Sequence, residues 1–436
     1  MVVLIKTLQV ILALSILILI HELGHFTFAR IFGIRVDKFY LFFDIGGKAL
    51  FRYKPKNSHT EYGIGWLPLG GYCKIAGMVD ESLDTGSLKN PPQPWEMRSK
   101  PAWQRLFVML GGVLFNFIFA VVVFIAIMAV WGQSYVDNGD DACLYVNELA
   151  YEMGFRNGDH IVAMDGVPQE DFAMMQVNMV RNDVSKVTVL RDGDTLNLYI
   201  DKSRTAEMLN TPGMFSLALP FVIDSIPPVS VNHEAGLMKG DRIVEVDSVA
   251  VSFLQDARPL LAGHAGGRVH AMVVRGADTL TKELAVDTLG RIGVITKAPS
   301  LKTRTYSLWS AVPAGITYTF DSISGYVKDL GLMFRPQTGA YKSVGSFIAI
   351  GQVFPASWNW YAFMTILAML SIMLGVMNLL PIPALDGGHA FIIIYEMITG
   401  RKPGDRAMVV LQVVGMIFIF ALMILALGND IIRLLS

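Results

Sequence analysis

Residues 16–25 read Ile16-Leu17-Ile18-Leu19-Ile20-His21-Glu22-Leu23-Gly24-His25, and they lie inside an apolar run from Val3 to Ala29. On a helix, positions i and i+4 share a face, so His21 and His25 can grip one ion. Glu22 projects beside them, placed to take a proton from a metal-bound water. Zinc suits imidazole ligands and lowers that water's pKa to about 7. Ionisable groups inside a membrane helix cost about 2.5–3.5 kcal/mol each on insertion scales, so a function is the first explanation to test. Histidines that merely hydrogen-bonded neighbouring helices would leave Glu22 without a role.

Composition sets the surroundings of this motif. The chain has 436 residues, 53% apolar and 17% charged, against about 45–50% and about 25% in soluble globular proteins. Four apolar runs take up the excess, at about Val3–Ala29, Leu106–Val130, Tyr361–Pro383 and Ala407–Leu427. About 20 helical residues span about 30 Å of hydrocarbon, so each run can cross a bilayer. The expected fold class is a polytopic α-helical membrane protein with four transmembrane helices, at residues 1–30, 106–131, 361–386 and 407–428. Lys6 could start a signal peptide, but the apolar stretch runs on past His25 and no small-x-small cleavage site follows a short core. Net charge is −1 with no basic face, which argues against a nucleic-acid partner.

Charge also orients the chain. Arg30, Arg35, Lys38, Arg98, Lys100 and Arg105 flank the loop 31–105, and Arg401, Lys402 and Arg406 lie in the last hairpin. The positive-inside rule places both loops in the cytoplasm, and both termini and the stretch from about Trp131 to Trp360 outside. That stretch carries an internal repeat: the segment from Met153 to Asp165 aligns without gaps to the one from Ala235 to Asp247, each reading Gly-apolar-x-x-Gly-Asp-x-Ile-Val. The repeated turn and strand resemble PDZ domains, so two extracytoplasmic PDZ-like β-rich domains are expected at 137–224 and 225–297, with a connector at 298–360. In the cytoplasmic loop, Phe39 to Phe51 reads as strands broken by Gly46-Gly47, and a strand-like stretch from Tyr62 to Ile75 follows the polar turn Lys54–Thr60. A β-hairpin so apolar suits the membrane interface or a shielded cavity; an ordinary soluble hairpin is the alternative.

Catalytic zinc takes three protein ligands and a water, so two histidines leave the site short. The third run ends Asn378-Leu379-Leu380-Pro381-Ile382-Pro383-Ala384-Leu385-Asp386-Gly387. Its prolines break the helix, which is tolerated at membrane depth only inside protein or a wet cavity. Asp386 follows where the chain can turn toward the metal, or else caps the next helix. His21 and His25 lie toward the cytoplasmic end of the first helix, and Asp386 at or just beyond that end of the third. Both elements therefore reach the same leaflet.

Together these residues resemble the site-2 protease family of intramembrane zinc metalloproteases, along nearly the whole chain. The likeness rests on the H-E-x-x-H helix, the glycine-rich cytoplasmic hairpin, the tandem PDZ-like region and the N-x-x-P-x-P-x-L-D-G motif from Asn378 to Gly387. It implies one Zn2+ held by His21, His25 and Asp386, with Glu22 as general base. It also implies that Asn378 and Asn116, the latter in a Gly-x-x-x-Asn motif with Gly112, support substrate or the developing oxyanion, alongside Pro381 and Pro383. Asn116 reads equally well as an interhelical hydrogen-bonding residue. The implied reaction is hydrolysis within transmembrane segments of single-pass proteins, of the anti-sigma factor type after a first cut, or of signal-peptide remnants. The implied location is a bacterial inner membrane. Val113 stands where many relatives have proline, and Ser343 to Gly351 lacks their Gly-Pro. A metal transporter would explain the ligands but not Glu22, the prolines or two peptide-binding-type domains. An idle PDZ receptor would not need every catalytic position filled. Chelator-sensitive cleavage separates the enzyme from both.

Overall fold

The computed structural model describes residues 1–435 except 69, 79–90, 140–141, 298–300, 341–344 and 402–403, and omits the side chains of 347, 405–407 and 433–434. Lys402, the first residues of the stretch from Ser343 and part of the connector thus lie outside the described residues. The chain forms two compact units, Met1–Gln133 with Thr305–Ser436, and Ser134–Arg304.

In the first unit, four helices among the described residues are long and apolar enough to cross a membrane: Val2–Ile31, Ala102–Val130, Trp360–Leu379 and Met408–Ile432. The first is largely apolar apart from Lys6, Gln9 and the His21–His25 motif, with Leu8, Ile11, Leu12 and Leu19 exposed. Its buried Ala13 and Leu17 pack with Phe363 and Leu367 of the third helix. Farther along, it crosses the second helix at glycine. A Cβ on Gly24 would stand 2.1 Å from the Gly111 carbonyl oxygen, and one on Gly111 2.6 Å from that of Gly24. Hydrocarbon gives helices no hydrophobic reason to associate, so small residues that let backbones touch carry the contact.

The third helix ends at Leu379, short of the expected 386. Pro381 and Pro383 lack the N–H groups a helix needs, and Ala384 takes φ 82°, so the chain turns sharply. Asp386 then opens a new helix, Asp386–Thr399, before the last helix, Asp405–Leu435. The connector is not featureless. Leu308–Met333 is a helix whose Leu330 packs with Ala120, Val123, Phe124 and Ile127 of the second helix. Asp321, Lys328 and Asp329 break up its apolar face, which is why hydropathy alone passes over it.

Where a hairpin is expected, four strands form: β1 (Val36–Leu41), β2 (Ala49–Tyr53), β3 (Glu61–Gly65) and β4 (Tyr72–Ile75), in the order β2-β3-β1-β4. β3 inserts between β1 and β2, parallel to β1 from Lys38↔Glu61 to Leu41↔Ile64. β4 runs antiparallel along the other side of β1 and forms one edge of the sheet, β2 the other. Polar side chains tie the sheet together. Buried Tyr40 donates its hydroxyl to Glu61 at 2.5 Å, and Tyr72 and Lys38 both donate to Asp44, at 2.7 and 2.8 Å. Asp44 accepts from both donors, while Val36 and Ile75 of the sheet pack into an apolar cluster with Ala29, Ile34, Val108 and Met109.

The second unit repeats itself. Strands His160–Met164, Val167–Pro168, Lys186–Arg191 and Asp194–Tyr199 form one sheet; Arg242–Val246, Val249–Ala250, Arg268–Arg275 and Asp278–Ala285 form another with the same order. Fully buried Asp159 pairs with Arg191 at 2.6 Å, and fully buried Asp241 with Arg275 at 2.7 Å. These aspartates are the Gly-Asp of the two repeated motifs. Each ties the turn before its first strand to the end of the strand two along.

Candidate metal centre

His21 and His25 stand one turn apart on the first helix, and the proline break returns the chain so that Asp386 meets them. The Nε2 atoms of the two histidines are 3.3 Å apart. Oδ2 of Asp386 lies 3.2 Å from Nε2 of His21 and 3.3 Å from Nε2 of His25. The three donor atoms thus make a nearly equilateral triangle. A tetrahedral ion with bonds of about 2.0–2.1 Å holds its donors about 3.3–3.4 Å apart, so zinc fits this triangle without adjustment. Oδ2 of Asp386 is also buried with no hydrogen-bond partner. A buried carboxylate oxygen without a donor calls for a cation. Among the described residues, no other group of three or more His, Cys, Asp or Glu could hold a metal.

The far sides of the rings are held as well. Nδ1 of His25 lies 2.8 Å from the Val108 carbonyl oxygen, on the second helix. Nδ1 of His21 lies 3.1 Å from the side-chain amide of Asn116. Gly112 lies between: a Cβ there would stand 2.5 Å from Cε1 of His21 and 2.5 Å from Nε2 of His25. Asn378, at the end of the third helix, brings its amide nitrogen to 3.5 Å from Nε2 of His21. Glu22 lies beside all three triangle residues and close to Cys73 on β4.

His21, His25 and Asp386 therefore come together, with Glu22 beside them. Asn116 and Asn378 both reach His21, at opposite ring nitrogens. Pro381 is exposed and acts on the chain's path, and Pro383 turns its carbonyl to the last helix, where a Cβ on Gly415 would stand 1.6 Å from it. Sequence reasoning missed Val108, which contributes a backbone carbonyl and leaves no side-chain signature, and the placement of Cys73 near Glu22.

The model of peptidase family M50 matches residues 9–422. The chain belongs to peptidase family M50. It is 29% identical over 458 residues to the regulator of sigma-E protease RseP of Escherichia coli (strain K12), covering 97% of this chain and 98% of that protein. It is 30% identical over 458 residues to the regulator of sigma E protease of Salmonella typhi, with the same coverage. A putative zinc metalloprotease of Vibrio cholerae serotype O1 is 27% identical over 456 residues, again with 97% and 98% covered. This M50 chain is accordingly an intramembrane zinc metalloprotease of the site-2 type.

Proposed function

We propose that His21, His25 and Asp386 hold a single zinc ion and that Glu22 is the general base and acid of a peptidase acting inside the bilayer. The observation that carries this reading is the 3.2–3.3 Å triangle of two imidazole nitrogens and one unpartnered carboxylate oxygen. A bound zinc would supply a water acidic near neutral pH and a Lewis acid for the peptide carbonyl. Glu22 takes the proton of the attacking water and returns it to the leaving amine. Asn378, whose amide lies on the metal side of His21, donates toward the carbonyl oxygen as charge grows there.

A helical substrate hides its carbonyls, so it must be cut in extended form. Among the described residues, β4 has β1 on one side and no strand on the other, and Cys73 on β4 lies beside Glu22. A substrate strand added along that edge would lie beside the catalytic carboxylate, with main-chain hydrogen bonds giving affinity and little sequence demand. The relatives' names point to sigma-E regulation. Applied here, they support single-pass membrane substrates of the anti-sigma factor type, with signal-peptide remnants as a second class. The enzyme sits in the inner membrane with its site toward the cytoplasm and its termini and repeated modules outside. Those modules act as PDZ-like filters that exclude bulky ectodomains. The test is cleavage of a single-pass reporter by purified enzyme in liposomes. Activity should vanish with a zinc chelator, return with zinc, and be lost in Glu22→Gln; chelator-resistant cleavage overturns the reading.

A further inference from the structure

Two asparagines touch the imidazole of His21, and they touch different nitrogens. Asn378 faces Nε2, on the triangle side, at 3.5 Å; Asn116 faces Nδ1, at the back, at 3.1 Å. Asn116 is fully buried. Its backbone oxygen accepts from the Ser371 hydroxyl at 2.8 Å, which fixes it against the third helix. Its side-chain oxygen is buried without a hydrogen-bond partner.

A neutral imidazole carries one N–H. If Nδ1 of His21 accepted from the Asn116 amide, the proton would sit on Nε2 and point into the triangle, where it would bar a metal. Exchanging the oxygen and nitrogen of the Asn116 amide leaves its shape unchanged. The exchange gives the oxygen the N–H of Nδ1, moves the amide nitrogen to the place the oxygen held, and turns the Nε2 lone pair toward His25 and Asp386. His25 already has this arrangement, with its Nδ1 against the Val108 carbonyl. We infer that Asn116 is the acceptor that fixes the tautomer and ring orientation of His21. Gly112, one turn earlier on the same helix, leaves the room both rings occupy. Asn116 is thus a positioning residue acting through His21, while Asn378 faces the reacting side. The inference rests on the proposed zinc site, whose ligands it orders.

The test is zinc binding by the full chain in detergent, read by competition with a chromophoric chelator, together with the visible spectrum of the cobalt-substituted protein. Asn116→Leu removes the acceptor at similar volume and should weaken zinc binding tenfold to a hundredfold, the usual loss for such a partner. Asn116→Asp keeps an acceptor and should hold zinc at least as tightly as the parent. It should also shift the cobalt bands, because a carboxylate makes the imidazole a stronger donor. Parent-like zinc affinity in folded Asn116→Leu, with only turnover reduced, would mean that Asn116 acts on substrate and would overturn the inference. An unshifted cobalt spectrum in Asn116→Asp overturns it even where Asn116→Leu fails to fold. A parent protein that binds no zinc would instead sink the zinc site itself, so the two failures are distinct.

Discussion

Nδ1 of His25 lies 2.8 Å from the carbonyl oxygen of Val108. In a helix that carbonyl points toward residue 112, and residue 112 is glycine, so the imidazole can reach the oxygen's second lone pair. The helix crossing at Gly24 and Gly111 brings the two helices close enough for the bond. A contact between glycines thus becomes the orientation of a histidine.

Gly112→Ala would put a methyl group 2.5 Å from both imidazoles. Backbone on either side cannot yield, so the rings must turn out of the triangle. The expected outcome is loss of most bound zinc, measured by elemental analysis, and at least a hundredfold loss of cleavage. Full zinc content in the variant would refute the packing argument.

Glu22→Gln removes a proton acceptor and no triangle atom. Zinc content should match the parent while cleavage falls by about 10²–10⁴-fold, the usual contribution of a general acid–base group. Asp386→Asn should differ by losing metal and activity together, since it removes the proposed anionic ligand.

Arg105, near the start of the second helix, pairs with Glu396 at 2.6 Å on the helix that Asp386 opens, and both side chains are mostly buried. Glu396→Ala strands a buried guanidinium at a cost of about 3 kcal/mol. A lower melting temperature and weaker zinc retention are expected, because the helix carrying Asp386 loses its anchor. Replacing both residues by apolar ones of similar volume should recover much of the stability.

Asp241 lends the second repeated module a pH dependence. The Arg275 hydrogen bond holds its carboxyl below the ordinary range, despite burial pulling the other way. Its stabilisation is therefore complete above its unfolded pKa of about 3.9 and is lost as pH falls through the lower folded value. Amide exchange in Arg242–Val246, followed in the full chain after correction for intrinsic rates, should accelerate on acidification in the parent. Asp241→Asn should already exchange faster at pH 7 and change less with acid.

Residues 137–297 lie within the unit Ser134–Arg304, and the triangle lies wholly within the other unit. Deleting 137–297 should leave zinc bound. The parent should cut a substrate trimmed to a short outer stub and spare the same substrate with a folded outer domain; the deletion enzyme should cut both. A zinc-loaded deletion enzyme that cuts neither would show that the modules deliver substrate instead of excluding it.

Much of the site was legible because it is written in side chains that a membrane helix does not tolerate for nothing. His21, Glu22 and His25 stand out against an unbroken apolar run, and Asp386 follows two prolines. The strand order was not legible: β1 is followed in the chain by β2, yet β3 takes the place beside it. A strand's pattern states which faces it buries and not which neighbour it chooses. The helix Leu308–Met333 escaped notice because its charges lower its hydropathy while its packing against Phe124 and its neighbours is a tertiary matter.

The sequence by itself determined the helices long enough to cross a membrane, the duplicated Gly-Asp turn and strand, and the residue types able to bind zinc. Those properties are local, set by hydrophobic run length, turn chemistry and the i, i+4 geometry of a helix. Only the tertiary structure decided that Asp386 closes the triangle and that Asn116 and Asn378 meet opposite nitrogens of one ring. It also decided that Val108 contributes through its backbone carbonyl. Such relations depend on how far apart helices cross and where a broken helix returns. Those distances are fixed by bare glycines meeting across an interface, which no single segment specifies alone.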